Sequence, residues 1–155
     1  MATLSAKNFD INNMSPGDEL PILVKHITQS SIEEFARLAS IKKDEKWKDL
    51  HTNEEFATQG MFAGTVLHGP ATMAYVGELL EKAFPLDRLM AEGSMLDMRA
   101  TLPIYPGDTI SFTGHLTRIE NVGDTHLINY TIIGTNQKSK VVAKAEGEIV
   151  YQNLD

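Results

Sequence analysis

Between Ala71 and Phe84 the chain is apolar on most of its helical surface, and this segment limits what the rest can become. Gly69-Pro70 opens it, with proline suited to the first helical position, where its missing N–H costs nothing. Pro85 stops it. Met73, Val76, Gly77, Leu80 and Phe84 recur at the spacing of one helical face. Ala71, Ala74, Tyr75 and Leu79 make the opposite side apolar as well. A helix of that kind is expected to be nearly buried, so other elements must cover it.

The chain after Pro85 supplies the cover. Met95 to Leu102 reads as a strand, and Tyr105-Pro106-Gly107-Asp108 as a turn. Ile110, Phe112, Gly114 and Leu116 then alternate with Ser111, Thr113, His115 and Thr117. Past the turn at Gly123-Asp124, His126, Ile128, Tyr130 and Ile132 share one face. Past Asn136-Gln137-Lys138-Ser139, the residues Val141, Ala143, Ala145, Gly147, Ile149 and Tyr151 share another. Consecutive half-buried strands of this pattern imply an antiparallel sheet. One buried helix with such a sheet wrapped around it gives an α+β architecture.

Upstream, Ser15-Pro16-Gly17-Asp18 is a turn and Leu20 to Ile27 a strand. Thr28 to Ser31 offer helix caps, with Ser30…Glu33 and Ser31…Glu34 both fitting a capping box. The helix they open sets Ile32, Phe35, Ala36 and Ala39 on one face. Ile41 to Leu50 is highly charged and reads as a solvated loop anchored by Trp47. Thr52…Glu55 fits a further capping box, for a short helix through Ala57.

At 155 residues the chain is expected to form a single domain over 1–155, with a real core. A net charge of −7 provides no basic footprint, which argues against nucleic acid as a partner. There is no cysteine, which excludes disulfides, a thiol nucleophile and thiolate-bound metal, and suits the reducing cytoplasm. Met1 to Asp10 lacks an apolar leader core, and no apolar run approaches a membrane span, so no membrane association is expected. His26, His115 and His126 sit on strands without ligand spacing, and no metal or cofactor is expected.

The residues that carry chemistry lie between the charged loop and the long helix. His51 is a candidate general base in a polar loop, since an imidazole titrates near neutral pH. His68 follows seventeen positions later, directly before Gly69. At a helix start the Gly69 N–H is free to receive a developing negative charge. A base and an anion-binding amide together suit chemistry on a thioester carbonyl. Asp44, Glu45 and Asp49 are the carboxylates close enough in sequence to orient His51. Lys42, Lys43 and Lys46 are candidate phosphate contacts, although a solvated face is the plainer reading of that loop.

The order of these pieces resembles the MaoC-like hydratases and dehydratases of the hotdog fold. The matching pieces are Ile27 to Ala39, His51 to Ala57, Leu67-His68-Gly69, Tyr105 to Thr109, and Asn136-Gln137 leading into the last strand. The His51–His68 interval agrees with the family spacing, and the resemblance covers roughly Ser15 to Tyr151. It implies a homodimer or higher homo-oligomer with acyl-CoA tunnels. It also implies reversible addition of water to a trans-2-enoyl thioester, on CoA or an acyl carrier, giving the (R)-3-hydroxyacyl thioester. His51 takes the histidine place of the family's Asp-x-Asn-Pro-x-His motif. Gly69 takes the place of the glycine whose N–H binds the thioester oxygen. Substrate contacts are assigned to His68, Pro70 and Tyr75, with His68 read first as a residue packed beneath the helix start and Tyr75 as core or tunnel wall.

The motif is incomplete. Counting back from His51 puts Lys46 where the family has Asp, and Lys48 and Asp49 where it has Asn and Pro. An insertion in this loop lets Asp44 or Glu45 reach the catalytic place, and Asp49 is a third candidate; Asp44 is taken first. Two other functions therefore stand beside hydration. One is a hotdog acyl-CoA thioesterase, against which the early turns of the long helix offer no carboxylate before Glu78. The other is a non-catalytic acyl-CoA-binding module.

Overall fold

A computed structural model of the chain describes residues 1–39 and 48–152. Two short 3₁₀ turns, Ala6–Asn8 and Ile11–Asn13, precede strand β1 (Leu23–His26) and helix α1 (Gln29–Leu38). Helix α2 (Glu54–Thr58) leads to the long helix α3 (Gly69–Ala83) and a short α4 (Leu86–Leu89). Strands β2 (Met95–Ala100), β3 (Thr109–Val122), β4 (Thr125–Asn136) and β5 (Val141–Gln152) follow. They form one five-stranded sheet in the order β1-β3-β4-β5-β2, antiparallel throughout. No described helix is long and apolar enough to cross a membrane.

The alternation in β3, β4 and β5 sets the inner face. Ile110, Phe112 and Leu116, then Ile128, Tyr130 and Ile132, then Ala145 and Ile149 are buried in one cluster with Val76, Leu79 and Leu80 of α3. The sheet thus packs on the long helix, giving the α+β architecture the patterning implies. Gly134 makes room within it, since a Cβ there would lie 2.8 Å from Phe112 Cε1. The turn before β3 has Gly107 at φ +92°, and Asp108 Oδ2 accepts from the Tyr105 N–H across it.

Several local expectations need correction. Helix α3 is not buried nearly all round. Its buried residues are Ala71, Thr72, Val76, Leu79, Leu80 and Ala83, while Met73 is 41% exposed. The sheet covers one side of the helix, and Met73 and Ala74 point away from it. Helix α1 is capped by Thr28, two positions before the first of the expected serine boxes. Thr28 Oγ1 accepts from Ser31 N, and Ser31 Oγ accepts from Thr28 N. The cap of α2 is Asn53, accepting from Phe56 N, rather than Thr52, whose hydroxyl is committed to Asp49. On α1, Ile32 and Ala36 are buried, but Ala39 is the exposed C-terminal cap. The strand expected over Leu20 to Ile27 is shorter, because Pro21 has no N–H to give the ladder. Leu20 and Ile27 still donate to the carbonyls of Gly114 and Asp108 on either side of β1.

Candidate functional site

Residues 48–53 form a turn built on one carboxylate. Asp49 Oδ1 accepts from the N–H groups of His51 and Thr52, both at 2.7 Å. Its Oδ2 accepts from the Thr52 hydroxyl at 2.7 Å. Partial burial pushes this carboxyl up, but those hydrogen bonds and the His51 charge outweigh it and leave it below its ordinary value. Asp49 therefore orders the His51 backbone, not its ring. Asp44 and Glu45, the other carboxylates considered, lie outside the described residues, as do Lys42, Lys43 and Lys46.

The ring of His51 is held by a backbone carbonyl. Nδ1 lies 2.7 Å from Val66 O. A carbonyl can only accept, so Nδ1 carries the proton, and the neutral ring has its lone pair on Nε2. That is the tautomer a general base at Nε2 requires. The segment carrying Val66 is itself fastened. Val66 N donates to Leu50 O, Leu67 N donates to Ile104 O, and the Tyr105 hydroxyl donates to Phe62 O.

His68 lies beneath this ring. The two imidazoles stack with centroids 3.7 Å apart and planes inclined by 21°. The Phe35 ring closes on His68 at 5.1 Å. His68 is buried, and its Nδ1 has no hydrogen-bond partner among the described residues. Burial first, and then repulsion from His51, push its proton affinity down, against a smaller opposing pull from Asp49. Two imidazoles this close do not both carry charge without cost. A histidine that resists protonation when folded binds fewer protons than in the unfolded chain. Stability is therefore fully present above about pH 6.5 and falls as the pH drops through that value toward the lower folded one. Denaturant midpoints taken between pH 7.5 and 5 are expected to decline, and to decline less in His68→Phe. Equal slopes in the two proteins would exclude His68 as the source.

Gly69 is the first residue of α3, and His68 gives the helix no side-chain cap. No described group accepts from the Gly69 N–H. A Cβ placed on Gly69 would meet nothing within 4 Å, so packing does not demand glycine there. The space before it belongs to a cavity of about 310 Å³. His51 and Gly69 both line it, among mainly apolar neighbours such as Leu50, Phe62, Leu102 and Ile104. The residue that carries the imidazole and the residue that carries a free amide at the positive end of a helix thus border one apolar volume.

The other substrate candidates are arranged differently. Pro70 occupies the first turn of α3 and is exposed, outside the lining of this cavity. Tyr75 is half-buried a turn further on, with its ring 6.3 Å from that of Phe112 and 5.0 Å beneath Lys25 Nζ. The sequence reading passed over Val66, Thr65 and Gln29. Val66 acts through a carbonyl that any residue possesses, so nothing in its side chain signals it. Gln29 donates to His51 O and accepts from the Thr65 hydroxyl, contacts that span 22 and 36 positions.

The MaoC like domain model matches residues 13–138. No curated protein matches the chain in sequence. Among solved structures, the chain is similar to a monoamine oxidase regulatory protein from Archaeoglobus fulgius, with 18% identity and a TM-score of 0.75 over 99% of this chain and 97% of that one. It is similar to a MaoC-like dehydratase from Rhodospirillum rubrum, with 20% identity and a TM-score of 0.75 over 96% and 99% of the two chains. It is also similar to the (R)-hydratase from A. caviae involved in PHA biosynthesis, with 19% identity and a TM-score of 0.67 over 88% and 96%. These likenesses carry the fold, an antiparallel sheet packed on a long helix in the hotdog manner. With the model covering most of its length, the chain belongs to the family of MaoC-like domains.

Proposed function

We propose that this protein is a hydratase/dehydratase that reversibly adds water to trans-2-enoyl thioesters, giving (R)-3-hydroxyacyl thioesters. The observation that supports it is the shared cavity. His51, with its lone pair on Nε2, and the open amide of Gly69 border the same apolar space. His51 Nε2 takes a proton from water as the oxygen bonds to C3. The displaced electron pair moves through C2 onto the thioester oxygen, where the Gly69 N–H receives the charge. The imidazolium then returns its proton to C2, so the elements of one water are added and the base is restored. Leu50, Phe62, Leu102 and Ile104 offer apolar surface that suits an acyl chain. The step needs no cofactor or metal.

The reading extends to CoA or a carrier protein as the thiol partner, and to a cytoplasmic setting, which the cysteine-free composition suits. It extends also to assembly of two or more copies. Strand β2 lies at the end of the sheet order, with one edge unpaired among the described residues, an edge that a strand of a second copy can extend. A thioesterase is less well served. Glu78, the first carboxylate on α3, is committed to an ion pair with Lys25.

Purified protein mixed with crotonyl-CoA is expected to bleach the conjugated-enoyl absorbance without releasing free thiol. Thiol release instead would assign a thioesterase. Binding without either reaction, across straight and branched acyl chains of several lengths, would leave only a binding module.

A further inference from the structure

Gln29 opens helix α1, far in sequence from the candidate base, yet its side chain joins the two segments between which the His51 ring is held. Its Nε2 donates to His51 O at 3.0 Å, and its Oε1 accepts from the Thr65 hydroxyl at 2.7 Å. Nε2 also lies 3.4 Å from Glu33 Oε1, a longer contact at the helix surface. Thr65 is buried and directly precedes Val66, whose carbonyl receives the His51 Nδ1 proton. Beside the Val66 N–Leu50 O bond, which also joins these segments, one primary amide thus ties the His51 carbonyl itself to the residue before the ring's acceptor. Only a group with both a donor and an acceptor at that reach can do so. A hydroxyl is too short, and a carboxylate would set charge against the His51 carbonyl.

We propose that Gln29 is a positioning residue for His51, fixing the Nδ1–H tautomer by holding the imidazole and the Val66 carbonyl at hydrogen-bond distance. The proposal rests on the hydration reading for its catalytic consequence, but not for its structural one. When the clamp is cut, the ring and the carbonyl drift apart, and the tautomer with its proton on Nε2 gains population. That form has its lone pair on Nδ1 and none on Nε2.

Gln29→Met keeps the length of the side chain and removes both polar functions; Thr65→Val cuts one end of the clamp at nearly constant shape. Both are examined by ¹⁵N NMR of the imidazole nitrogens and by crotonyl-CoA hydration. In the wild-type protein the His51 nitrogens are expected to report a proton on Nδ1. In both variants they are expected to shift toward the Nε2–H form, while kcat falls about tenfold or more and KM stays near its original value. Should Gln29→Met fail to fold, Thr65→Val carries the same test. Unchanged His51 nitrogen shifts overturn the proposal, whether or not kcat falls. A shifted tautomer with undiminished kcat upholds the positioning of the ring and overturns its catalytic consequence. If the wild-type protein does not hydrate crotonyl-CoA but the tautomer shifts in both variants, the hydration reading fails and the positioning role of Gln29 stands.

Discussion

Replacing His51 by alanine is expected to lower enoyl-thioester turnover by about 10² or more, roughly 3 kcal/mol of barrier. Alanine removes the Nε2 lone pair and leaves water in the cavity without a base. The fold is expected to survive. The His51 turn is held by the Asp49 carboxylate through backbone N–H groups and the Thr52 hydroxyl, and alanine leaves those bonds in place. The half-buried ring contributes packing mainly to the face of His68. Initial rates with crotonyl-CoA, taken beside a thermal melt, check both halves. A variant that folds and keeps its turnover would remove His51 from the chemistry. One that melts far below the wild type would show that the ring is chiefly structural.

The largest loss of stability is expected at Phe112. Its side chain is fully buried in β3, over the space that Gly134 leaves and against Tyr75 of α3. Phe112→Ala removes a ring's worth of apolar contact between sheet and helix and leaves a cavity that neighbouring strands cannot close. They are fixed by ladders on both sides of β3. The expected cost is about 3–5 kcal/mol, read as a lower urea midpoint, and a melting temperature lower by about 10 °C or more. A cost below about 1 kcal/mol would mean that the sheet and α3 are not held together at this ring.

Much of the architecture was legible because it rests on periodicity. The alternation in Ile110, Phe112 and Leu116 and in Ile128, Tyr130 and Ile132 can bury an apolar face only as strands. The Gly69-Pro70 start and Pro85 stop bracket α3 through backbone geometry alone. Which side of α3 is covered was less legible, since both sides are apolar. The structure buries Thr72, Val76 and Leu79 and leaves Met73 exposed, because a sheet covers a helix from one direction. The cap of α1 fell two positions before the first expected box and that of α2 one position after the start of its box, where neighbouring Ser, Thr and Asn residues compete for the same N–H groups.

For the site, the sequence by itself determined the residue types: an imidazole at position 51, and a glycine amide at the head of a long helix. Which of Asp44, Glu45 and Asp49 takes the place of the family's carboxylate, with Lys46 there on an ungapped count, it left open. Only the tertiary structure decided what those groups face. It set Val66 O against the His51 ring, laid His68 beneath that ring, and opened one apolar cavity to both His51 and Gly69. The reason is physical. Side-chain periodicity records which surfaces seek burial, whereas a backbone carbonyl or amide is the same at every residue and acquires a role only through where folding places it.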